Sequence, residues 1–169
     1  MDQDRPMLHM LCGKIGSGKS TLSKQLGRQP GTVVLAEDAW LDALFADQME
    51  TVADYLRCSA RLRGVMEPHV AALLNAGTSV VLDFPANTVD TRRWMRAILD
   101  VSKAAHAMHF LDVPDEVCLD RLHERNAGGD HPFAVTDEQF ARISAHFEPP
   151  RADEGFNVVR HQPGETQGQ

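Results

Sequence analysis

Gly13-Lys14-Ile15-Gly16-Ser17-Gly18-Lys19-Ser20 spells G-x-x-x-x-G-K-S, and its flanks give the spelling its meaning. An apolar run, Met7-Leu8-His9-Met10-Leu11-Cys12, enters it and reads as a buried strand. Thr21-Leu22-Ser23-Lys24-Gln25-Leu26 follows and reads as a helix closed by Gly27. Strand, glycine-rich turn and helix N-terminus together form a phosphate-binding loop. Glycines at 13, 16 and 18 remove the Cβ atoms that would keep backbone N–H groups away from phosphate oxygens. The segment Gly13, Lys14, Ile15, Gly16, Ser17, Gly18, Lys19, Ser20 and Thr21 is therefore expected to bind a nucleoside triphosphate. Lys19 would meet the β and γ phosphates, and the Ser20 hydroxyl is the expected Mg²⁺ ligand.

Strand-like and helix-like segments continue to alternate beyond the loop. Thr32-Val33-Val34-Leu35 reads as a strand after the Pro30-Gly31 turn. Helical patterns cover roughly residues 39–45 and 52–63, and Pro68 predicts a break or kink between Gly64 and Pro68 before a second piece running to Asn75. Thr78 to Leu82 reads as a strand that delivers Asp83, followed by a helix over about 89–104 and a strand over 107–111. Pro114 suits the first turn of a helix carrying Glu116 to Arg125. Turn chemistry fills 126–132, and Thr136 with Gln139 forms a capping box that opens one more helix, ended by Pro149-Pro150. Phe156 to Val159 reads as the last strand. The segment 161–169 lacks aliphatic and aromatic residues and is expected to be a disordered tail.

This alternation predicts an α/β three-layer architecture, a parallel sheet with helices on both faces and right-handed crossovers. Ligands then gather at the carboxyl ends of the strands. One domain over residues 1–160 is expected, with a lid near 121–135.

Composition narrows the partners. A net charge of −7 over 169 residues argues against broad attraction to nucleic acid or anionic lipid, although a local basic groove is compatible with it. No apolar run reaches membrane-spanning length, and the polar start Met1-Asp2-Gln3-Asp4-Arg5 is unlike a secretory signal. Cys12, Cys58 and Cys118 are odd in number and far apart, as in reduced thiols of a cytoplasmic protein. The eight histidines show no metal-ligand spacing, and His106 and His109 read as core or edge residues of one strand.

Candidate chemistry lies just after each strand. Asp38 follows the second strand, where its carboxylate can accept the proton of an attacking hydroxyl, with Glu37 as the second candidate. The competing role for Asp38 is a helix N-cap. Asp83 ends the run Val80-Val81-Leu82, where it can hold Mg²⁺ opposite Ser20 or serve as a solvated turn residue. Arg121 and Arg125, four apart on one helix face and leading into Gly128-Gly129, suit a lid that closes over phosphates, or else surface pairs with Asp120 or Glu124. Arg92, Arg93 and Arg96 can orient a substrate or its phosphate, or lie on a solvated face.

With those residues in place, the stretch from Gly13 to about Pro150 resembles small P-loop kinases of the polynucleotide kinase, zeta toxin and chloramphenicol phosphotransferase type, AAA-like ATP-binding proteins. Their order of loop, acidic residue after the second strand, acidic strand end, arginine lid, final helix and strand is filled here by 13–21, Asp38, Asp83, Arg121 with Arg125, and 136–159. The resemblance implies a five-stranded parallel sheet like that of nucleoside monophosphate kinases, and it matches Asp38 to the family's catalytic aspartate. It implies ATP and Mg²⁺, with a γ-phosphate passing to a hydroxyl. Polynucleotide kinases carry a substrate-binding arginine three residues after that aspartate, where this chain has Leu41. A small-molecule hydroxyl is thus the expected acceptor, ahead of a nucleic-acid 5′ end. A different class, an ATP-binding switch acting through a protein partner, fits the same loop.

Overall fold

The structure, a computed structural model, describes residues 5–129 and 135–164. Five strands form one sheet in the order β2-β3-β1-β4-β5: β1 (Met7–Cys12), β2 (Thr32–Ala36), β3 (Ser79–Pro85), β4 (Ala105–Leu111) and β5 (Val158–His161). Every neighbouring pair is parallel, as the alternation requires. Six α-helices lie among the described residues: α1 (Lys19–Gly27), α2 (Glu37–Phe45), α3 (Val52–Asn75), α4 (Val89–Ser102), α5 (Asp115–Ala127) and α6 (Asp137–Ser144).

The period-two alternation of the strands sorts the core into two layers. Leu8, Met10, Val80, Leu82, Phe84 and Met108 join one cluster with Leu62, Met66, Val70 and Leu74 of α3 and Met95, Ile98 and Leu99 of α4. Leu11, Val81 and Leu111 point the other way and pack with Leu22 and Leu26 of α1. β1, flanked on both sides, is buried along nearly its whole length, which explains its unbroken apolar spelling. Edge strand β2 leaves Val33 and Val34 exposed.

Polar bonds stitch this frame across long sequence distances. His9, His109 and His161, on β1, β4 and β5, form a ladder with N···N distances of 3.0 Å at both steps. His109 is buried and His106 half-buried, in keeping with core and edge places on β4, and His9 is buried as well. Burial lowers the pKa of His9 and His109, and that of His109 falls to about 4 with its two histidine neighbours contributing.

Several expectations are corrected. α3 is one continuous helix with Pro68 inside it, not two pieces. An interior proline costs about 3 kcal/mol, but Cys58, Leu62, Met66, Val70 and Leu74 are all 3% exposed or less. Each buried side chain of this kind contributes about 1.5–3 kcal/mol, so one uninterrupted face outweighs the proline. Arg92 is no substrate contact. It is fully buried, donating to Glu154 at 2.7 Å, to the Ala86 carbonyl at 2.9 Å and to the Glu148 carbonyl at 2.7 Å. It ties α4 to the segment before β5. Arg96 likewise donates to the Glu154 carbonyl and covers the Phe156 ring, while Arg93 pairs with Asp90 on the surface. β5 begins two residues later than expected and takes in His161, which therefore belongs to the sheet and not to a tail. Part of the expected tail, 165–169, and part of the expected lid, 130–134, lie outside the described residues.

Candidate nucleotide-binding site

The loop between β1 and α1 has the conformation its glycines allow. Gly16 has φ +80° and Gly18 φ +102°, the left-handed region that side chains disfavour. A Cβ on Gly16 would also stand 2.6 Å from the Cys118 carbonyl oxygen. Gly18 caps α1 with no side-chain hydrogen bond, and no acidic residue occupies the first turn. The helix start thus keeps its positive end for an anion. Ser20 and Thr21 are exposed on that turn.

Three anchors hold the loop from outside. Asn87, in the β3–α4 connection, accepts from the Gly13 N–H at 2.9 Å and donates to the Gly13 carbonyl at 2.9 Å. Arg121 of α5 donates to the carbonyls of Gly16 at 3.3 Å and Ser17 at 3.1 Å, and Lys14 pairs with Asp115 at 2.7 Å. Ile15 packs beside Cys118, Leu122 and Phe140. Lys19 donates to the carbonyls of Gly13 and Lys14, the latter at 3.0 Å. Burial lowers the Lys19 pKa, while Cys12, Asp83 and Asp38 favour its charged form.

The acidic residues divide by environment. Asp83 lies within β3, opposite Ala36 in register, rather than at the strand's end. Burial raises its pKa and Asp38 adds to the rise, while the Ser23 hydroxyl and Lys19 stabilise the carboxylate. A half-buried carboxylate in that field is a poor fit for a solvated turn. α2 starts at Glu37 with Ala36 in the capping position and no side-chain cap, so Asp38 is a helical residue and not an N-cap. Asp38 is exposed, and its charge acts on both Lys19 and Asp83. Glu37 turns inward, 1% exposed, where Tyr55 donates to it at 2.5 Å, Ser59 at 3.5 Å, and Arg63 stands 3.9 Å away. Its pKa is raised by burial.

Lys19, Asp38 and Asp83 are thus brought together, and Arg121 touches the loop instead of pairing with Asp120. Arg125 is half-buried, its Nε without a partner, and forms no ion pair among the described residues. Cys12 is buried within β1 and its thiol is pushed up to about 12 by that burial, as suits an unreactive core residue. Two residues escaped the sequence reading. Asn87 sits in Ala86-Asn87-Thr88, legible only as a turn, and Ser23 looked like any helix surface position. Among the described residues no group of three or more His, Cys, Asp or Glu can hold a metal by itself. An oxygen set of Ser20 and Asp83 beside a triphosphate still fits Mg²⁺, because the raised Asp83 carboxyl next to Asp38 is relieved by a cation.

The sequence model of the AAA domain family matches residues 8–150. The chain belongs to this family. No curated protein matches this AAA-domain protein significantly in sequence. Solved structures do match its fold. A Chloroflexus aurantiacus j-10-fl protein proposed to be a kinase superimposes with a TM-score of 0.71 at 19% identity, over 95% of this chain and 86% of that one. Mycobacterium tuberculosis APS kinase CysC, solved with AMPPNP and APS, gives 0.62 at 22% identity over 96% and 91%. A sugar kinase from Janibacter sp. HTCC2649 gives 0.61 at 18% identity over 94% and 84%. The AAA-domain protein therefore has the fold of small P-loop kinases, a five-stranded parallel sheet with helices on both faces. Among the described residues no helix is long and apolar enough to cross a membrane.

Proposed function

We propose that this protein is an ATP-dependent phosphotransferase that moves the γ-phosphate to a hydroxyl of a small molecule. The observation that carries the reading is the meeting of Lys19, Asp38 and Asp83, from three separate segments, in one electrostatic field beside the loop. A nucleotide switch needs the loop and a metal ligand; an exposed carboxylate beside them suits a group that takes a proton.

The loop N–H groups and Lys19 hold the β and γ phosphates. Ser20 and Asp83 would hold Mg²⁺, which when bound neutralises phosphate charge. The acceptor oxygen forms its bond to γ-phosphorus as Asp38 takes the hydroxyl proton. The bond from γ-phosphorus to the bridging oxygen breaks and ADP leaves. Arg121, already on the loop, and Arg125 supply positive charge to the phosphoryl oxygens. Leu41 is 2% exposed and belongs to the core, so the position that would carry an arginine for a nucleic-acid 5′ end cannot touch one. That, with the charge of −7, favours a small acceptor over an oligonucleotide. Cys12, Cys58 and Cys118 are free and buried, which supports a reducing cytoplasmic setting.

Asp38→Asn tests the reading. It keeps size and removes basicity, so acceptor-dependent transfer should fall about 10²–10⁴-fold while ATP affinity stays near wild type. Unchanged transfer sinks the role of Asp38, and loss of ATP binding alongside transfer moves Asp38 to the metal. Phosphate released only to water, with every hydroxyl acceptor tried, would favour the partner-operated switch.

A further inference from the structure

α2 starts without a side-chain cap, and only two of its nine residues, Glu37 and Leu41, are buried. Being four apart, they share the face that meets the core. A helix held at one apolar point can still turn about its axis. A second, directional bond stops that turn, and Glu37 supplies it.

The partners of Glu37 form a row. Tyr55, Ser59 and Arg63 stand four apart along one face of α3 and all address its carboxylate. Tyr55 donates to Oε1 at 2.5 Å, Ser59 donates to Oε2 at 3.5 Å, and Arg63 stands 3.9 Å from Oε2. α3 is a firm base for them, because Cys58, Leu62, Met66, Val70 and Leu74 of the same helix lie in the main core. Burial pushes the pKa of the Tyr55 hydroxyl up and the Glu37 charge adds to the rise, so the phenol stays a donor at neutral pH.

A carboxylate is a costly way to fill that position. Taking it out of water carries a penalty that an apolar side chain escapes, and buried ion pairs often stabilise no better than apolar residues of similar volume. What the carboxylate adds is direction, since charge-assisted hydrogen bonds fix an angle that apolar contact leaves free.

Direction matters because of the next residue. Successive side chains of an α-helix project about 100° apart. With Glu37 locked inward, Asp38 is turned to the exposed side, where its charge acts on Lys19 and Asp83. Resting on the phosphotransferase reading, we propose that Glu37 is a positioning residue, held by Tyr55, Ser59 and Arg63 so that Asp38 faces the acceptor hydroxyl. At 1% exposed, Glu37 is itself out of reach of a substrate.

The test uses the full chain with ATP, Mg²⁺ and a panel of small hydroxyl acceptors, and hydrogen exchange is followed in the same preparations. Tyr55→Phe removes only the hydroxyl, Glu37→Ala removes the whole anchor, and Glu37→Gln keeps an acceptor oxygen for Tyr55. Tyr55→Phe and Glu37→Ala should lower kcat about 10- to 100-fold with KM for ATP nearly unchanged, because a displacement of about 1 Å suffices for such a loss. The α2 amides of residues 41–45 should exchange faster, while those of β1 and α1 keep their rates. Glu37→Gln should restore most of the transfer that Glu37→Ala loses. A Glu37→Gln protein as inactive as Asp38→Asn would overturn the proposal and make Glu37 the base. Unchanged kcat in Tyr55→Phe and Glu37→Ala overturns it too, as does faster exchange spread evenly over β1, α1 and α2, which marks a plain loss of stability. Should Glu37→Ala fail to fold, Tyr55→Phe decides alone. Those outcomes leave phosphate transfer by the wild type standing; a wild type that transfers phosphate to no acceptor removes the phosphotransferase reading and the positioning role together.

Discussion

The phosphate loop and the flank formed by α3 and α4 are built in opposite ways. The loop is a run of consecutive residues, 13–21, whose proposed phosphate contacts are largely its own backbone N–H groups. The flank gathers Glu37, Tyr55, Ser59, Arg63, Glu67 and Trp94 from three helices, and its polar groups are side chains. Backbone donors need a particular chain path, and a path is set by which residues lack a Cβ. Side-chain sites need only that helices pack in the right register, and many sequences allow that. The loop is accordingly anchored by bonds to carbonyls and amides, whereas the flank keeps donors with no partner.

The largest expected effect breaks the loop side. Lys19→Ala should cut transfer about 10³-fold or more and weaken ATP binding, since charge stabilisation in a water-poor site is worth several kcal/mol. Its contacts are the carbonyls of Gly13 and Lys14, so the fold should survive. Titration calorimetry with ATP, a melting curve and the transfer rate on one preparation decide the matter. Full activity in a folded variant would remove the loop from the chemistry.

Asn87→Ala asks whether the loop is as self-sufficient as its sequence suggests. It removes both bonds to Gly13 and leaves that N–H unpaired, while the carbonyl keeps Lys19 as its donor, at a cost of about 2 kcal/mol. ATP affinity should drop roughly 10- to 100-fold. An unchanged affinity would show that the glycines alone hold the loop.

The histidine ladder gives a tertiary counterpart that should leave the loop untouched. The His109 pKa is depressed from 6.5 to about 4, so the folded state prefers the neutral ring more than the unfolded state does. Its contribution is complete above 6.5, is lost as pH falls from there toward about 4, and is worth on the order of 3 kcal/mol for this buried ring. Chemical denaturation at a series of pH values should show that loss, and His109→Gln should flatten it. ATP affinity of the folded fraction should not follow the same curve.

The smallest effect sharpens the flank. Gly64→Ala should stabilise the protein by about 0.5–1 kcal/mol, because an added methyl meets no atom and alanine favours the helix. Thermal unfolding measures it. A destabilised Gly64→Ala protein would mean the glycine answers a need of the fold that helix propensity does not capture.

The glycine spacing and Lys19 fixed the loop in advance, because positive φ at Gly16 and Gly18 and open access for phosphate are local demands. Apolar runs alternating with helical periods likewise announced the parallel sheet, since strands covered on both faces must be apolar throughout. Asp38 was legible as a position after a strand and Asp83 as the acidic end of an apolar run, although Asp83 lies inside β3; their shared field with Lys19 was not legible. Local rules also misjudged Pro68 and Arg92. A proline penalty is local, while the burial that overrides it is summed along a helix packed on the sheet. A guanidinium looks solvated until Glu154 and three carbonyls close around it. Asn87, Ser23 and the inward turn of Glu37 had no signature, because each depends on a partner far away in the chain. Sequence alone determined the loop here proposed to bind a triphosphate. Only packing decided which carboxylate faces that site, since two adjacent residues of one helix point in different directions and the core accepts one of them.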